Sequence, residues 1–434
     1  MRTKEELKQA VIAAIDAHRD EIIGIGETVW KNPEPGYREF KTAALATDVL
    51  RQQGLTVRDK LAITGLRADY AGANPGPTVA IIGEMDSLIL PTHPDCDPAT
   101  GAVHACGHHA HITGMLGAAI GLCQAQAAAE LSGRVAFVGV PAEECIEADK
   151  RCEMIRQGKI SAVGGKQEMI REGVFDDVDI AFMHHVNSSE NNYIGRSANG
   201  FVIKKIIFHG QSCHAANPSA GVNALSICTL AQTAIGLMRE TLVEPTVRVH
   251  GIITAGGDVV NIIPDCIKLE YMIRGKTLEI VKEISQKFDQ AMHGCASALG
   301  GTAEVITIPG YADHQGSQEI FEVFKTVVRG LHPDAKMNNV LSEGFSMGSS
   351  DMGDITYIMP ALETSIPGVQ GTGHGITLKP GDPEKAYIDQ AKFSALMVIE
   401  MLYGDAAKGR EIAAEKANKL TKAQYIEMMD ALAR

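Results

Sequence analysis

Three short apolar runs, each breaking off into a polar loop, constrain this chain more than any other feature. TVAIIG leads into Glu84-Met85-Asp86, VAFVGV into Pro141-Ala142-Glu143-Glu144, and DIAFM into His184-His185-Val186. An apolar run of this length bounded by turn-forming residues reads as a strand buried on both faces. Between the first two lies HACGHHAHITGMLGAAIGLCQAQAA, whose later part is helical and rich in small residues. Strands alternating with helices predict an α/β fold, a mainly parallel sheet flanked by helices. In open sheets of that kind ligands bind beyond the carboxyl ends of the strands. The polar groups that follow the three runs are therefore the first place to look for chemistry.

The flanking segments fill in the organisation. Residues 5–55 read as two helices: KEELKQAVIAAIDAHRDEIIGIGETVWKN, which ends near Pro33 and Pro35, and a second around EFKTAALATDVLRQQGL, which stops at Gly54. From residue 196 the pattern changes to strand, helix, two strands, helix, strand. That order predicts a small two-layer α+β domain over 196–311, inserted into a catalytic domain made of 1–195 and 312–434. A chain of 434 residues suits two domains.

Charge and apolar content exclude several classes. The net charge of -13 gives a surface that repels phosphate backbones, so no nucleic-acid partner is expected. The N-terminus is charged and amphipathic rather than a signal peptide, and no stretch reaches the ~20 apolar residues of a membrane span. A cytoplasmic location with no membrane partner is expected. The nine cysteines follow no framework spacing and are expected to be reduced.

The chemistry concentrates in a few motifs. Residues 104–111, HACGHHAH, place His104, Cys106, His108, His109 and His111 within one short segment of a chain with fifteen histidines. Thiolate and imidazole are ligands for metals of the zinc class. Gly107 lets the backbone turn so that Cys106 and His108 point the same way. Glu143 and Glu144 taken alone are two acids in a loop. Beside a metal, one binds it while the other accepts a proton from water that the metal has made acidic. One of His184 and His185 is a further ligand candidate, and so is His374, set between glycines in GTGHGITL. Asp86 is placed to hold a ligand imidazole in the right tautomer. Asp351 in GSSDMGD shapes the pocket or caps a helix. Structural zinc sites use closed, Cys-rich sets at short spacing. Donors spread from Cys106 to His374 and mixed with carboxylate suit an open catalytic site instead.

In this order the motifs resemble the co-catalytic metallopeptidase family of aminoacylases and carboxypeptidases, and within it the amidohydrolases that include hippurate, auxin-conjugate and aminobenzoyl-glutamate hydrolases. The resemblance covers nearly the whole chain: an acidic MD after a strand, HACGH, EE, HHV, an inserted domain with CHAANP and NIIP, and a late His. It implies a zinc-peptidase-like catalytic domain with an inserted dimerisation (lid) domain. It implies one or two divalent ions, Zn or Mn, held by Cys106, His108, Glu144, His185 and His374, with Cys106 shared where two are bound. Glu143 matches the general acid/base and Asp86 the orienting acid. His214 matches a histidine that reaches the active site of the partner subunit, and Asn261 and Arg274 match positions that bind a substrate carboxylate. The implied activity is hydrolysis of the amide bond of a small N-acyl amino acid or dipeptide-like substrate, in a homodimer or larger homo-oligomer. Two residues depart from the pattern. His109 stands where the amidohydrolases usually have Asp, and Glu84 where they have the first Asp of Asp-Met-Asp. These departures keep two other readings in view: hydrolysis of a non-peptidic C–N bond such as that of an aryl amine, and a silent metal- or ligand-binding relative.

Overall fold

The computed structural model describes residues 2–242, 246–343 and 347–433. Two compact units account for them. The first comprises Met1–Ser197, His314–Ser346 and Asp351–Tyr425, and the second Ala198–Asp313, Met347–Ser350 and Ile426–Arg434.

The first unit is built on an eight-stranded sheet in the order β1-β2-β6-β3-β7-β16-β8-β15. Its strands are β1 Val57–Leu61, β2 Gly65–Ala71, β3 Asn74–Glu84, β6 Ser132–Val140, β7 Ile180–Asn187, β8 Asn192–Gly195, β15 Lys336–Asn339 and β16 Ala361–Pro367. The central four, β6, β3, β7 and β16, run parallel. On one side β2 and β1 extend the sheet antiparallel. On the other, β8 is antiparallel to β16 and β15 parallel to β8. Every residue of β16 is buried, as are the last eight of β3. Strands covered on both faces favour apolar runs such as residues 79–82 of β3; in β16 the buried Glu363 and Thr364 are instead partnered by Arg196 and His184.

The helices of this unit are α1 Lys4–Ala17, α2 Arg19–Lys31, α3 Phe40–Gln52, α4 His108–Gln124, α5 Ala148–Arg156, α6 Gly165–Arg171, α9 Gln318–Leu331, α10 Val340–Glu343, α11 Met352–Ile358, α12 Gln390–Leu402 and α13 Ala407–Ala413. α4 is buried from His108 to Leu122. Its small residues allow that. A Cβ at Gly117 would lie 2.6 Å from the Ala391 Cβ of α12, so the two helices approach at a distance that only glycine permits. The expected first helix is in fact two. His18 breaks it: its backbone leaves the helical region, at φ -104° and ψ 17°, and its ring Nδ1 lies 2.9 Å from the Ala14 carbonyl. The turn closes there and α2 restarts at Arg19.

Two short ribbons lie beside the parallel strands. β4 Leu88–Ile89 pairs with β5 Ala102–Val103, closing the segment between Asp86 and Cys106. β17 Val369–Gln370 pairs with β18 Lys379–Pro380 and holds up the loop that carries His374.

The second unit is a four-stranded antiparallel sheet, β11-β13-β9-β14, with β9 Gly200–His209, β11 Arg248–Ala255, β13 Cys266–Gly275 and β14 Thr302–Pro309. Alternation along β13 sends Ile267, Leu269, Tyr271 and Ile273 into a core shared with α7 Ala224–Met238 and α8 Leu278–Ala298. A ribbon of β10 Cys213–His214 and β12 Ile262–Ile263 completes the unit. Among the described residues no helix is long and apolar enough to cross a membrane.

Candidate metal centre

Three of the four central strands hand one or two polar groups each to the same end of the sheet. Asp86 follows β3, Glu143 and Glu144 follow β6, and His185 lies near the end of β7. His108 is the first residue of α4, and Gly107 before it has φ 98°. A Cβ at Gly107 would lie 2.3 Å from Val186 Cγ2, so both the backbone turn and the close approach to β7 require glycine. His374 also takes a left-handed conformation, with φ 59°, a region where histidine is enriched among non-glycine residues. Its N–H donates to the carbonyl of Ala105 at 2.8 Å, which ties its loop to the segment bearing Cys106.

These elements bring the donor atoms together. Cys106 Sγ lies 3.4 Å from His185 Nε2 and 3.3 Å from His374 Nε2. His374 Nε2 is 3.4 Å from Glu144 Oε1. Three overlapping triplets have ligand atoms within 4.8 Å of one another: Cys106, His108 and His185; Cys106, Glu144 and His374; His108, Glu143 and Glu144. Cys106 belongs to two of them.

Neighbouring groups aim the donors. His108 Nδ1 donates to Asp86, 3.0 Å from both its carbonyl and its Oδ1, which turns Nε2 toward the cluster. Asp86 Oδ2 accepts the Glu144 N–H at 2.8 Å, so one carboxylate orients two donors. His185 Nδ1 donates to the Val186 carbonyl at 2.7 Å, again leaving Nε2 free to ligate. Arg151 is buried and bonds the carbonyls of Ala142, Val163 and Glu144, which fixes the loop after β6.

The donor set fits a divalent ion. His108 Nε2 is buried and makes no hydrogen bond of acceptable geometry. Burial and the adjacent Glu144 push the Cys106 thiol well above its ordinary value. Burial, with Glu84 and Glu144, does the same to Glu143, and burial also raises Glu144. Burial opposes the charging of His108, yet Cys106, Glu84 and Asp86 draw it up. A pocket that hinders every anionic donor while favouring a protonated imidazole calls for positive charge. Thiolate, imidazole and carboxylate together suit a borderline transition metal.

Not all of the motif histidines are donors. His111 Nδ1 bonds Glu84 Oε2 at 2.9 Å, while its Nε2 accepts the Val186 N–H at 3.3 Å. Burial pulls it down to about 4, so it is a neutral buttress with both nitrogens committed. His109 faces away from the cluster. Its ring packs edge-on against Trp30 and Tyr387, with centroids at 4.9 and 5.8 Å, and beside His104. His184 bonds Thr364 Oγ1 at 2.6 Å inside an aromatic core.

One group escaped the sequence reading. Lys166, fully buried at the start of α6, contacts both Glu84 and Asp351. An isolated lysine beside a glycine pair carries no sequence signal, and its partners are distant in the chain.

Three residues singled out in the sequence lie in the second unit. His214 on β10 pairs with Ile262 on β12, and Ala215 N–H bonds the Asn261 carbonyl at 3.0 Å, so Asn261, in the turn just before β12, lies beside the end of β10. Arg274 on β13 sits opposite Phe201 and Arg248. Its guanidinium lies over the Phe201 ring at 5.8 Å.

Comparison with known proteins agrees with this architecture. Residues 80–390 match the model of Peptidase family M20/M25/M40. The Xaa-Arg dipeptidase of Mus musculus is 28% identical over 372 residues, covering 82% of this chain and 79% of the mouse protein. One of the chains of the p-aminobenzoyl-glutamate hydrolase of Escherichia coli is 29% identical over 309 residues, 69% of this chain and 60% of its own length. A Bacillus subtilis protein described as a dinuclear metal binding peptidase shares the fold, with a TM-score of 0.68 at 20% identity over 89% of this chain and 99% of its own. The chain is a metal-dependent hydrolase acting on C–N bonds, and it belongs to peptidase family M20/M25/M40.

Proposed function

We propose that this hydrolase cleaves the amide bond of a small N-acyl amino acid or dipeptide-like substrate, with Glu143 as general base. The observation that carries the reading is the place of Glu143. Its carboxylate meets His108 and Glu144 within 4.8 Å, and it is buried at the mouth of the loop after β6. An Xaa-Arg dipeptide and p-aminobenzoyl-glutamate, the compounds named for two relatives, are both amino acids acylated on nitrogen. That common chemistry sets the substrate class.

Cys106, His108, Glu144, His185 and His374 hold the ion or ions, with Cys106 shared if two are bound. The thiolate favours zinc, and the imidazoles and carboxylate also accept manganese. A divalent ion in this set supplies Lewis acidity and lowers the pKa of water. Glu143 takes a proton from the attacking water as the C–O bond forms, then delivers it to the nitrogen as the C–N bond breaks. Asp86 keeps the His108 imidazole oriented throughout. His214 stabilises the charge that grows on the carbonyl oxygen of the partner subunit's substrate, and Asn261 and Arg274 bind the substrate carboxylate. The active form is a homodimer or a larger homo-oligomer. His109 offers no argument for a different bond, because its ring belongs to the packing around Trp30.

The test is to strip the protein of metal, reload it with Zn²⁺ or Mn²⁺, and assay N-acetyl amino acids, dipeptides and aminobenzoyl-glutamate. Metal-restored release of free amino acid is expected. Glu143→Gln is expected to keep its metal and lose about 10²–10⁴-fold in kcat. Failure of both ions to restore cleavage of any amide would reject the substrate class. A Glu143→Gln protein with wild-type turnover would remove Glu143 from its role.

A further inference from the structure

Beside the donors assigned to metal stands a second group of anions. The carboxylate oxygens of Glu84, Glu143 and Asp351 lie within 4.8 Å of one another, all on buried residues. The metal-donor triplets meet the same limit. Three carboxylates so close in a dry interior repel one another strongly, and some positive charge has to share the space. It comes from the chain itself. Lys166 is fully buried, and its Nζ donates to Glu84 Oε1 at 2.5 Å and also to Asp351 Oδ1. The Lys166 backbone N–H donates to the other Asp351 oxygen at 2.9 Å, so side chain and main chain grip one carboxylate together. The remaining oxygen of Glu84 accepts from His111 Nδ1. Burial opposes the Lys166 charge, but Asp351, Glu84 and Glu143 outweigh it and hold the ammonium above its ordinary value.

We infer that Lys166 is a built-in cation: its ammonium fills the nest formed by Glu84, Glu143 and Asp351, and so confines divalent metal to the Cys106 cluster. Oxygen atoms at ligand spacing around a cavity are what hard divalent ions bind. An ammonium is a compact point charge with three donors, and it occupies the same space. A lysine in this place serves two ends. It balances the anions next to Glu143 without recruiting an ion that would take the Glu143 oxygens as ligands. It also fixes Glu84, whose second oxygen holds the His111 buttress. Lys166 is thus a positioning residue that acts through carboxylates.

The inference rests on the carboxylate geometry and needs neither the proposed substrate nor the base role of Glu143. Its test uses no substrate, so its failure and that of the proposed function are separable. Wild type, Lys166→Met and the double variant Lys166→Met/Asp351→Asn are each saturated with Mn²⁺ and dialysed. Metal content is then read by mass spectrometry, and melting with and without Mn²⁺ by calorimetry. Lys166→Met is expected to hold one more equivalent of Mn²⁺ than wild type and to gain more in melting temperature from the ion. A Lys166→Met protein that folds only with Mn²⁺ present gives the same support. The double variant, with one carboxylate fewer, is expected to return to the wild-type content. The inference is overturned by a Lys166→Met protein with wild-type metal content, by one that stays unfolded in Mn²⁺, or by a double variant that keeps the additional ion.

Discussion

Asp86 orients two donors with one side chain: Oδ1 receives His108 Nδ1–H and Oδ2 receives the Glu144 N–H. It has no exposed surface, so no water can replace either bond. Asparagine is nearly the same shape but offers only one acceptor oxygen, and its amide would set N–H against the N–H of either His108 or Glu144. An unsatisfied buried donor costs about 1–3 kcal/mol. The cheapest relief is rotation of the His108 ring or retreat of the loop after β6, and either move takes a donor off its aim. Asp86→Asn is therefore expected to weaken metal binding by about 10–100-fold, read by competition with a chromogenic chelator. Unchanged affinity would show that packing alone orients His108. The same arithmetic argues against His111 as a ligand, although Glu84, His108 and His111 also bring atoms within 4.8 Å of one another. Its two nitrogens are already spent on Glu84 and Val186.

At the scale of elements, the site depends on turns that leave the sheet at fixed points. Gly107 is the tightest of these. Alanine there would carry a Cβ 2.3 Å from Val186 Cγ2 at φ 98°, adding about 1–2 kcal/mol of left-handed strain to the overlap. Gly107→Ala is expected to lower the melting temperature and to lose metal together, because the residue links Cys106 to His108. A variant with wild-type melting and metal content would show that the turn adapts. Elements of this kind were legible in the sequence because their signal is local. An apolar run followed at once by polar groups marks a strand end, and that drew attention to Asp86, to Glu143 and Glu144 beside the histidine cluster, and to one of His184 and His185; the choice of His185 came from the family resemblance. The parallel centre of the sheet followed from the same runs. What was not legible depends on contacts across the chain. Lys166 acquires its meaning from Glu84 and Asp351, and nothing in GGKQEM announces them. β1, with only its ends partly buried, shows no apolar alternation, and β8 and β15 are four residues each, too short to carry a pattern. The break at His18 is a departure of one residue's backbone that helical periodicity does not register.

At the scale of the whole molecule, the second unit exposes an edge that monomers rarely leave bare. β11 pairs with β13 on one side only, and of its eight residues only Val249 is buried. Ile252 is 64% and Ile253 43% exposed, and on α7 Leu237 is 68% exposed. The strand RVHGIITA has no proline or lysine, the residues that commonly blunt an edge. We propose that two copies pair β11 to β11 antiparallel, which joins two four-stranded sheets through an isologous interface. Near a two-fold axis a substitution meets its own copy, so Ile252→Lys sets two ammonium groups close together while leaving the core of the unit intact. Light scattering is expected to find wild type dimeric and Ile252→Lys monomeric, with little change in melting beyond the loss of association. A variant that stays dimeric would move the interface elsewhere. Turnover then decides what dimerisation is for. If His214 serves the partner subunit's substrate, the monomer keeps its metal, since all five proposed donors lie in the first unit, yet loses kcat. A monomer with full metal and full turnover would leave each chain self-sufficient and take His214 out of the partner's chemistry.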